Sequence, residues 1–209
     1  LELVDLYGAD AVRLALTTGT TPGNDTRITE AKIQSSRNFA NKLWNASRFV
    51  MLHVQTKPKF SAPALMEDCP LEDRWILSRL HTLTQEVNAS LTRFQIGEAQ
   101  LAIQDFVWDD FCDWYIELAK IRSTQGDTSA DHILIYTLDT ALRLLHPFMP
   151  FITEEIWQSL HTAENTDNHI RDSITIQPYP THDAEFINPA AEASMGIVTN
   201  IIRGLRNVR

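Results

Sequence analysis

From Thr29 to Val54 the chain runs without a single glycine or proline. A helix of that length spans about 39 Å at ~1.5 Å per residue, more than a small core needs and enough to join two separate sites. Ile33, Ala40, Leu43, Trp44, Ser47, Met51 and Val54 recur at three- and four-residue steps, so they are expected on one inward face. Asn38, Lys42, Asn45 and Phe49 follow one another on the opposite side. This polar, amide-rich stripe ends in an aromatic ring that the core does not claim.

Other segments carry the same helical period. Leu3, Val4, Tyr7, Ala11, Leu14 and Ala15 predict a helix that stops at the Gly- and Pro-containing loop Thr18 to Ile28. After a connection from Gln55 to Pro70, a stripe of Ile76, Leu80, Leu83, Val87, Leu91 and Phe94 predicts a second long helix from about Leu71. A third is expected from about Ile96 to Arg122, burying Ile103, Val107, Phe111, Trp114, Leu118 and Ile121 and leaving Asp105, Asp109, Asp113, Ile116 and Lys120 outside. Asp131 to His146, Thr153 to His161 and Glu192 to Arg209 complete the helices, with one short extended segment near 173–178. Long helices joined by short corners describe an all-α bundle.

Charge divides the chain more informatively than its net value of −9. The stretch 61–202 is strongly acidic, 1–60 is mildly basic, and 203–209 carries Arg203, Arg206 and Arg209 with no acid. A polyanion is therefore expected at the two ends of the sequence and away from its middle. Two distant cysteines and no Cys/His cluster argue against a disulfide framework or zinc site. No apolar run approaches the roughly 20 residues of a membrane span, so a cytoplasmic protein without a membrane partner is expected. Opening within one helical pattern and closing within another, the chain reads as a piece of a longer protein.

Catalysis needs a nucleophile with its base, a carboxylate pair in a cleft, or a metal cluster. The seven histidines are scattered, Glu154 and Glu155 suit a helix start, and no phosphate-cradling glycine loop is present. No catalytic residue, metal site or cofactor is assigned. Binding remains: an aromatic face stacks any base for about 1–3 kcal/mol, basic groups hold phosphates, and amides read base edges. Asn38, Lys42, Asn45, Arg48 and Phe49 supply these types along one side of the long helix. On physical grounds alone it is equally consistent that Phe49 packs under the 55–70 connection and Lys42 is solvated or ion-paired.

Five blocks, in order, resemble the C-terminal part of class I aminoacyl-tRNA synthetases. They are Tyr7 to Arg13 (YGADAVR), Pro22 to Asp25 (PGND), Arg37 to Val50 (RNFANKLWNASRFV), Phe111 to Glu117 (FCDWYIE) and His146 to Phe151 (HPFMPF). The Thr20 to Asp25 loop and Asn41 to Asn45 resemble the valyl type; the isoleucyl type shares the helix pattern and is the alternative within the family. The resemblance implies that 1–28 end the linker from a catalytic core, 29–180 form the helical anticodon-binding domain, and 181–209 lead towards a coiled-coil arm. It implies a monomeric parent that joins valine to its tRNA with ATP and magnesium, this part only holding and reading the valine tRNA. By the same resemblance Phe49 and Ile116 form the anticodon pocket, and Arg27 faces the inner side of the tRNA. Ala31 stands where some family members carry a further arginine. A helical scaffold binding protein through its acidic middle is the reading from another class.

Overall fold

The computed structural model describes residues 2–20, 27–54, 60–64, 69–162 and 173–207, apart from the side chains of Thr162 and Asn207. Its helices are α1 (Glu2–Tyr7), α2 (Ala9–Thr17), α3 (Glu30–His53), α4 (Leu71–Thr92), α5 (Ile96–Asp105), α6 (Ile116–Thr124), α7 (Ala130–Leu145), α8 (Pro150–Thr162) and α9 (Pro189–Asn207). Between α5 and α6 the helix continues as a π stretch, Phe106–Tyr115. No strand occurs among the described residues. The extended segment expected near 173–178 is instead a 3-10 turn, Ile174–Ile176, whose amide at Thr175 is capped by the Ser173 side chain; only its flanks are extended.

The first predicted helix is two. Gly8 adopts φ +88 and divides α1 from α2, a conformation that costs an L side chain energy and glycine none. Parts of the Thr18 to Ile28 loop and of the 55–70 connection lie outside the described residues.

The boundaries of α3 follow its sequence. Thr29 caps it by accepting from the Lys32 amide, and Val54 ends it. Inward it sends Ile33, Ser36, Phe39, Leu43, Ser47 and Val50. Trp44, expected in the core, is 41% exposed: at ~100° per residue it stands a full step round from Leu43, at the edge of the buried face, and Phe39 takes the inward place.

One continuous core joins α3, α4, α5, the π stretch, α6, α7 and α8 around Phe106, Phe111, Tyr115, Leu80 and Leu138. The two outermost sequence blocks meet beside it. Asp10 on α2 is buried, and its carboxylate accepts from the amides of Phe151 at 3.3 Å and Ile152 at 2.7 Å, capping α8 from a remote helix. Arg13, one turn on, donates to the Pro147 carbonyl at 3.1 Å.

The π stretch changes which residues face inward after it. The Ile116 amide donates to Phe111 O, five residues back, so a turn here takes one residue more than an α turn. Carrying a 3.6-residue period across 106–115 therefore puts the next helix out of phase. Ile116, Ala119 and Arg122 are buried, Leu118 is half-buried and Ile121 is 57% exposed. Ile116 is thus not on a polar outer face as its spacing predicted; it is 3% exposed and part of the core.

Within α9, Ala191, Met195 and Thr199 face the bundle, while Ile197, Ile201 and Leu205 are exposed. No described helix is long and apolar enough to cross a membrane.

Candidate nucleic-acid interface

The outer side of α3 carries the polar stripe as its spacing predicted. Asn38, Asn45 and Arg48 are exposed. Asn38 accepts from Gln34 Nε2 at 3.0 Å, one turn back, whereas Asn45 and Arg48 make no side-chain hydrogen bond or ion pair with a described residue. Their amide and guanidinium groups face solvent with their hydrogen-bonding capacity free of described neighbours.

Lys42 is differently placed. Its Nζ lies 2.6 Å from Asp113 Oδ1 and 3.8 Å from the centre of the Trp108 ring, so α3 is tied here to the π stretch. Trp108 also stacks on Phe39, with ring centres 6.5 Å apart. The cation is shared between a carboxylate and an indole face before any ligand arrives.

Phe49, expected as a ring that the core does not claim, is instead half-buried and packs against the core. Its ring meets that of His53, one turn on, at 3.7 Å and 31°, and Lys120 Nζ from α6 stands 4.5 Å from its centre. Lys120 is held in turn by Glu117 at 2.6 Å. His53 and Lys120 were not singled out by sequence; the signal for His53 was its four-residue spacing from Phe49, which stacks side chains on one helix face. Ile116 lies one turn before Lys120 on α6, beneath the surface.

Arg27 is exposed, two residues before the cap of α3, and forms no ion pair with a described residue. Some twenty helical residues separate it from Phe49, about 30 Å at ~1.5 Å each. The structure therefore gathers Asn45, Arg48 and Phe49 near one end of α3, with His53 and Lys120 beside Phe49, and leaves Arg27 at the other.

No group of three or more His, Cys, Asp or Glu side chains among the described residues is arranged to hold a metal. Cys112 is buried, and burial pushes its thiol up to about 12, far from a reactive thiolate.

The model of the anticodon-binding domain of tRNA ligase matches residues 73–209. Along its whole length the chain is 46% identical to a valine–tRNA ligase of Dehalococcoides mccartyi (strain CBDB1) and 42% identical to one of Bacillus cereus (strain ATCC 10987 / NRS 248); it spans 23% of each. Among solved structures it is similar to the Agrobacterium radiobacter K84 agnB2 LeuRS in its ternary complex with tRNA and LeuAMS. That match has a TM-score of 0.65 and 23% identity, over 90% of this chain and 21% of that one, and likens the fold. Matched by the family model over residues 73–209, with the helical bundle described above, the chain belongs to the anticodon-binding domain family of tRNA ligases.

Proposed function

We propose that this chain holds and reads the anticodon arm of a valine tRNA for a valine–tRNA ligase of which it is one part. The observation that carries the reading is the far end of α3. There the exposed Asn45 and Arg48 adjoin a half-open aromatic, Phe49, whose neighbours His53 and Lys120 are cation-forming groups. Stacking on such a ring is indifferent to base identity, and the amide beside it supplies the base-specific part. Identity with valine–tRNA ligases along the whole chain supports valine as the parent's amino acid.

In this reading Phe49 stacks an unpaired base, and Asn45 meets its edge. Arg48 and Lys120 hold flanking phosphates, and Asn38 and Lys42 extend the contact along α3. Ile116 supports the pocket from beneath, and Arg27 touches the tRNA nearer its acceptor end. Joining valine to the tRNA with ATP and magnesium is assigned to the rest of the parent, a monomeric cytoplasmic enzyme. This chain contributes positioning of one substrate and no chemical step.

The test is Phe49→Ala in the parent ligase, with kcat/KM measured for valine tRNA. A fall of about tenfold or more (~1.4 kcal/mol) is expected. An unchanged value removes Phe49 from the interface, and a gel shift of this chain showing no complex with tRNA at low salt removes the reading itself.

A further inference from the structure

Between α4, the π stretch and α9 lies a cleft of about 230 Å3 that the proposed anticodon pocket does not use. Trp75 and Trp114 form its walls, and Gly196, Thr199 and Arg203 reach it from α9. Its floor is a closed polar network: Arg79 bridges Asp110 at 2.9 Å and Glu192 at 3.6 Å, and Glu192 also accepts from the hydroxyls of Ser78 and Thr82. Burial works against the Arg79 charge, but Asp110 and Glu192 outweigh it and hold the guanidinium firmly protonated.

The rim has the opposite balance. Arg203 and Arg206, one turn apart on α9, both place their guanidinium over the Trp114 indole, at 5.7 and 5.5 Å from its centre. Neither forms an ion pair with a described residue, and both are exposed. Two cations are thus brought over one aromatic ring with no carboxylate to separate them. The attraction of each to an indole is worth only about 0.5–1 kcal/mol at an exposed site, so an anion bound by both gains what the ring alone does not supply. A Cβ added at Gly196 would meet nothing within 4 Å, which leaves the mouth open beside them.

The geometry points to a second RNA contact, in which Arg203 and Arg206 clamp a backbone phosphate and the Trp75–Trp114 cleft receives the nucleoside attached to it. This rests on the reading that the chain binds tRNA. Trp75 and Trp114 belong to the core and are 5% and 7% exposed, and a phosphate that draws the two guanidiniums outward uncovers the side of the Trp114 indole over which they stand. At about 30 Å3 of liquid volume per water the cleft equals roughly eight waters, room for one nucleoside and not for a stack. The open rim lets the polynucleotide continue in both directions from the clamped phosphate. The acidic body around the cleft confines the attraction to this rim, in keeping with a basic 203–206 segment that follows the strongly acidic stretch 61–202.

The experiment measures binding of fluorescently labelled tRNA to the whole chain by anisotropy across a salt series, alongside tryptophan fluorescence. Arg203→Ala/Arg206→Ala is expected to weaken binding about tenfold at low salt. It should also flatten the dependence of log K on log salt by roughly 0.7, the value for the one single-strand phosphate that the two guanidiniums clamp. Arg203→Lys/Arg206→Lys should restore the slope, and the fluorescence change on tRNA addition should shrink in Trp114→Phe. An unchanged slope in the alanine pair overturns the clamp while leaving the α3 interface standing, provided that Asn45→Ala/Arg48→Ala still weakens binding. If inorganic phosphate competes as well as a short oligoribonucleotide, the cleft takes a simple anion and the nucleoside contact is overturned. Should the unaltered chain bind no tRNA, the functional reading fails with it.

Discussion

Lys42 and Asp113 form the one ion pair between α3 and the π stretch among the described residues, at 2.6 Å, with Asp113 about half exposed. An exposed pair of this kind is worth about 0–1 kcal/mol to the fold, so its consequence lies in binding. A phosphate approaching Lys42 competes with Asp113 for the same ammonium. Asp113→Asn should leave the unfolding midpoint nearly unchanged and strengthen tRNA binding a few-fold, with a slope against salt steeper by about 0.7. Titration of labelled tRNA at several salt concentrations checks this, and equal slopes would mean that Lys42 stays with Trp108 and off the RNA.

Ile116 calls for a different variant from Phe49. At 3% exposure its truncation to alanine opens a cavity, costing about 2–5 kcal/mol, and loss of tRNA binding in that protein reports unfolding. Ile116→Val removes one methylene at roughly 0.5–1.5 kcal/mol and keeps the chain folded. A pocket wall in contact with a base predicts a few-fold loss of tRNA use in the valine variant at unchanged secondary structure. A residue that only supports the pocket from beneath predicts none.

The bundle was legible because its helices announce themselves by period, cap and breaker. The expected Thr29 to Val54 segment forms Glu30–His53 with those two residues as its caps, and Leu71 does begin α4, but that helix ends at Thr92, and Phe94, expected on its inward stripe, turns out at φ +59 and is 79% exposed. Ile116 and Ile121 exchanged faces for a reason that side-chain spacing does not encode. The π stretch is a change of backbone hydrogen-bond register, and every position after it is rotated relative to a 3.6-residue extrapolation. Asn38 and Asn45 on α3 are exposed where their spacing placed them because nothing interrupts the helix there, whereas Phe49, expected to be left unclaimed by the core, packs half-buried against it. The pairing of Lys42 with Asp113, and the approach of Lys120 to Phe49, joins residues about seventy positions apart, which local pattern cannot supply.

Arg122, Asp73 and Tyr115 form a buried knot where α4 and α6 meet. Arg122 Nη1 donates to Asp73 Oδ1 at 2.7 Å, the Tyr115 hydroxyl donates to the same oxygen at 2.8 Å, and Arg122 Nε reaches Asp127 at 2.9 Å. Burial pushes the Asp73 carboxyl up, opposed by those two donors, while the hydrogen bonds from Ser129, ahead of that from Arg122, hold Asp127 at about 2. Arg122→Met strands a carboxylate that is 1% exposed and should cost about 3–5 kcal/mol. Tyr115→Phe, which leaves the ion pair intact, should cost about 1–2 kcal/mol. Urea denaturation of the two variants distinguishes them, and equal losses would contradict the assignment of Arg122 as the principal counter-charge.

His81 ties the 178–188 segment to α4. Its Nδ1 accepts from the Asp183 amide at 3.0 Å, its Nε2 lies 3.2 Å from the Tyr136 hydroxyl, and its ring stacks on Phe186 at 4.4 Å. Burial depresses its basicity, Asp183 opposes that and His182 adds to it. His146, half-buried between Thr153 and Thr175, is shifted the same way, first by burial, with Glu154 and Asp10 opposing. In both cases the unfolded chain takes up a proton near pH 6.5 and the folded chain resists it. Their contribution is fully present above about pH 6.5 and is lost as pH falls from there towards the folded values, at no more than ~1.4 kcal/mol per pH unit for each proton. The urea midpoint should therefore fall between pH 7 and pH 5.5, and more gently in His81→Asn. A variant with the same slope as the parent would place the linkage on other groups.

Gly97 holds the end of α2 against the start of α5. A Cβ built there would fall inside van der Waals contact with the Thr20 carbonyl oxygen and 2.8 Å from its amide nitrogen, so the obstacle is backbone and not a flexible side chain. Beneath this contact Gln100, buried on α5, donates to the Leu14 carbonyl at 3.0 Å and is hydrogen-bonded to Thr17 and Thr18. Gly97→Ala must push the 17–20 turn away and loosen that cluster, at about 1–3 kcal/mol. The same turn follows α2, whose Asp10 caps α8, so the displacement is directed at the corner where the first and last resemblance blocks meet. The resemblance implies that residues 1–28 lead from a catalytic core, which would put this corner on the side nearest it, whereas Phe49 lies at the other end of α3. Gly97→Ala should therefore lower kcat/KM for valine tRNA without altering the salt slope of tRNA binding by the chain. A change in that slope would mean that the corner itself touches RNA.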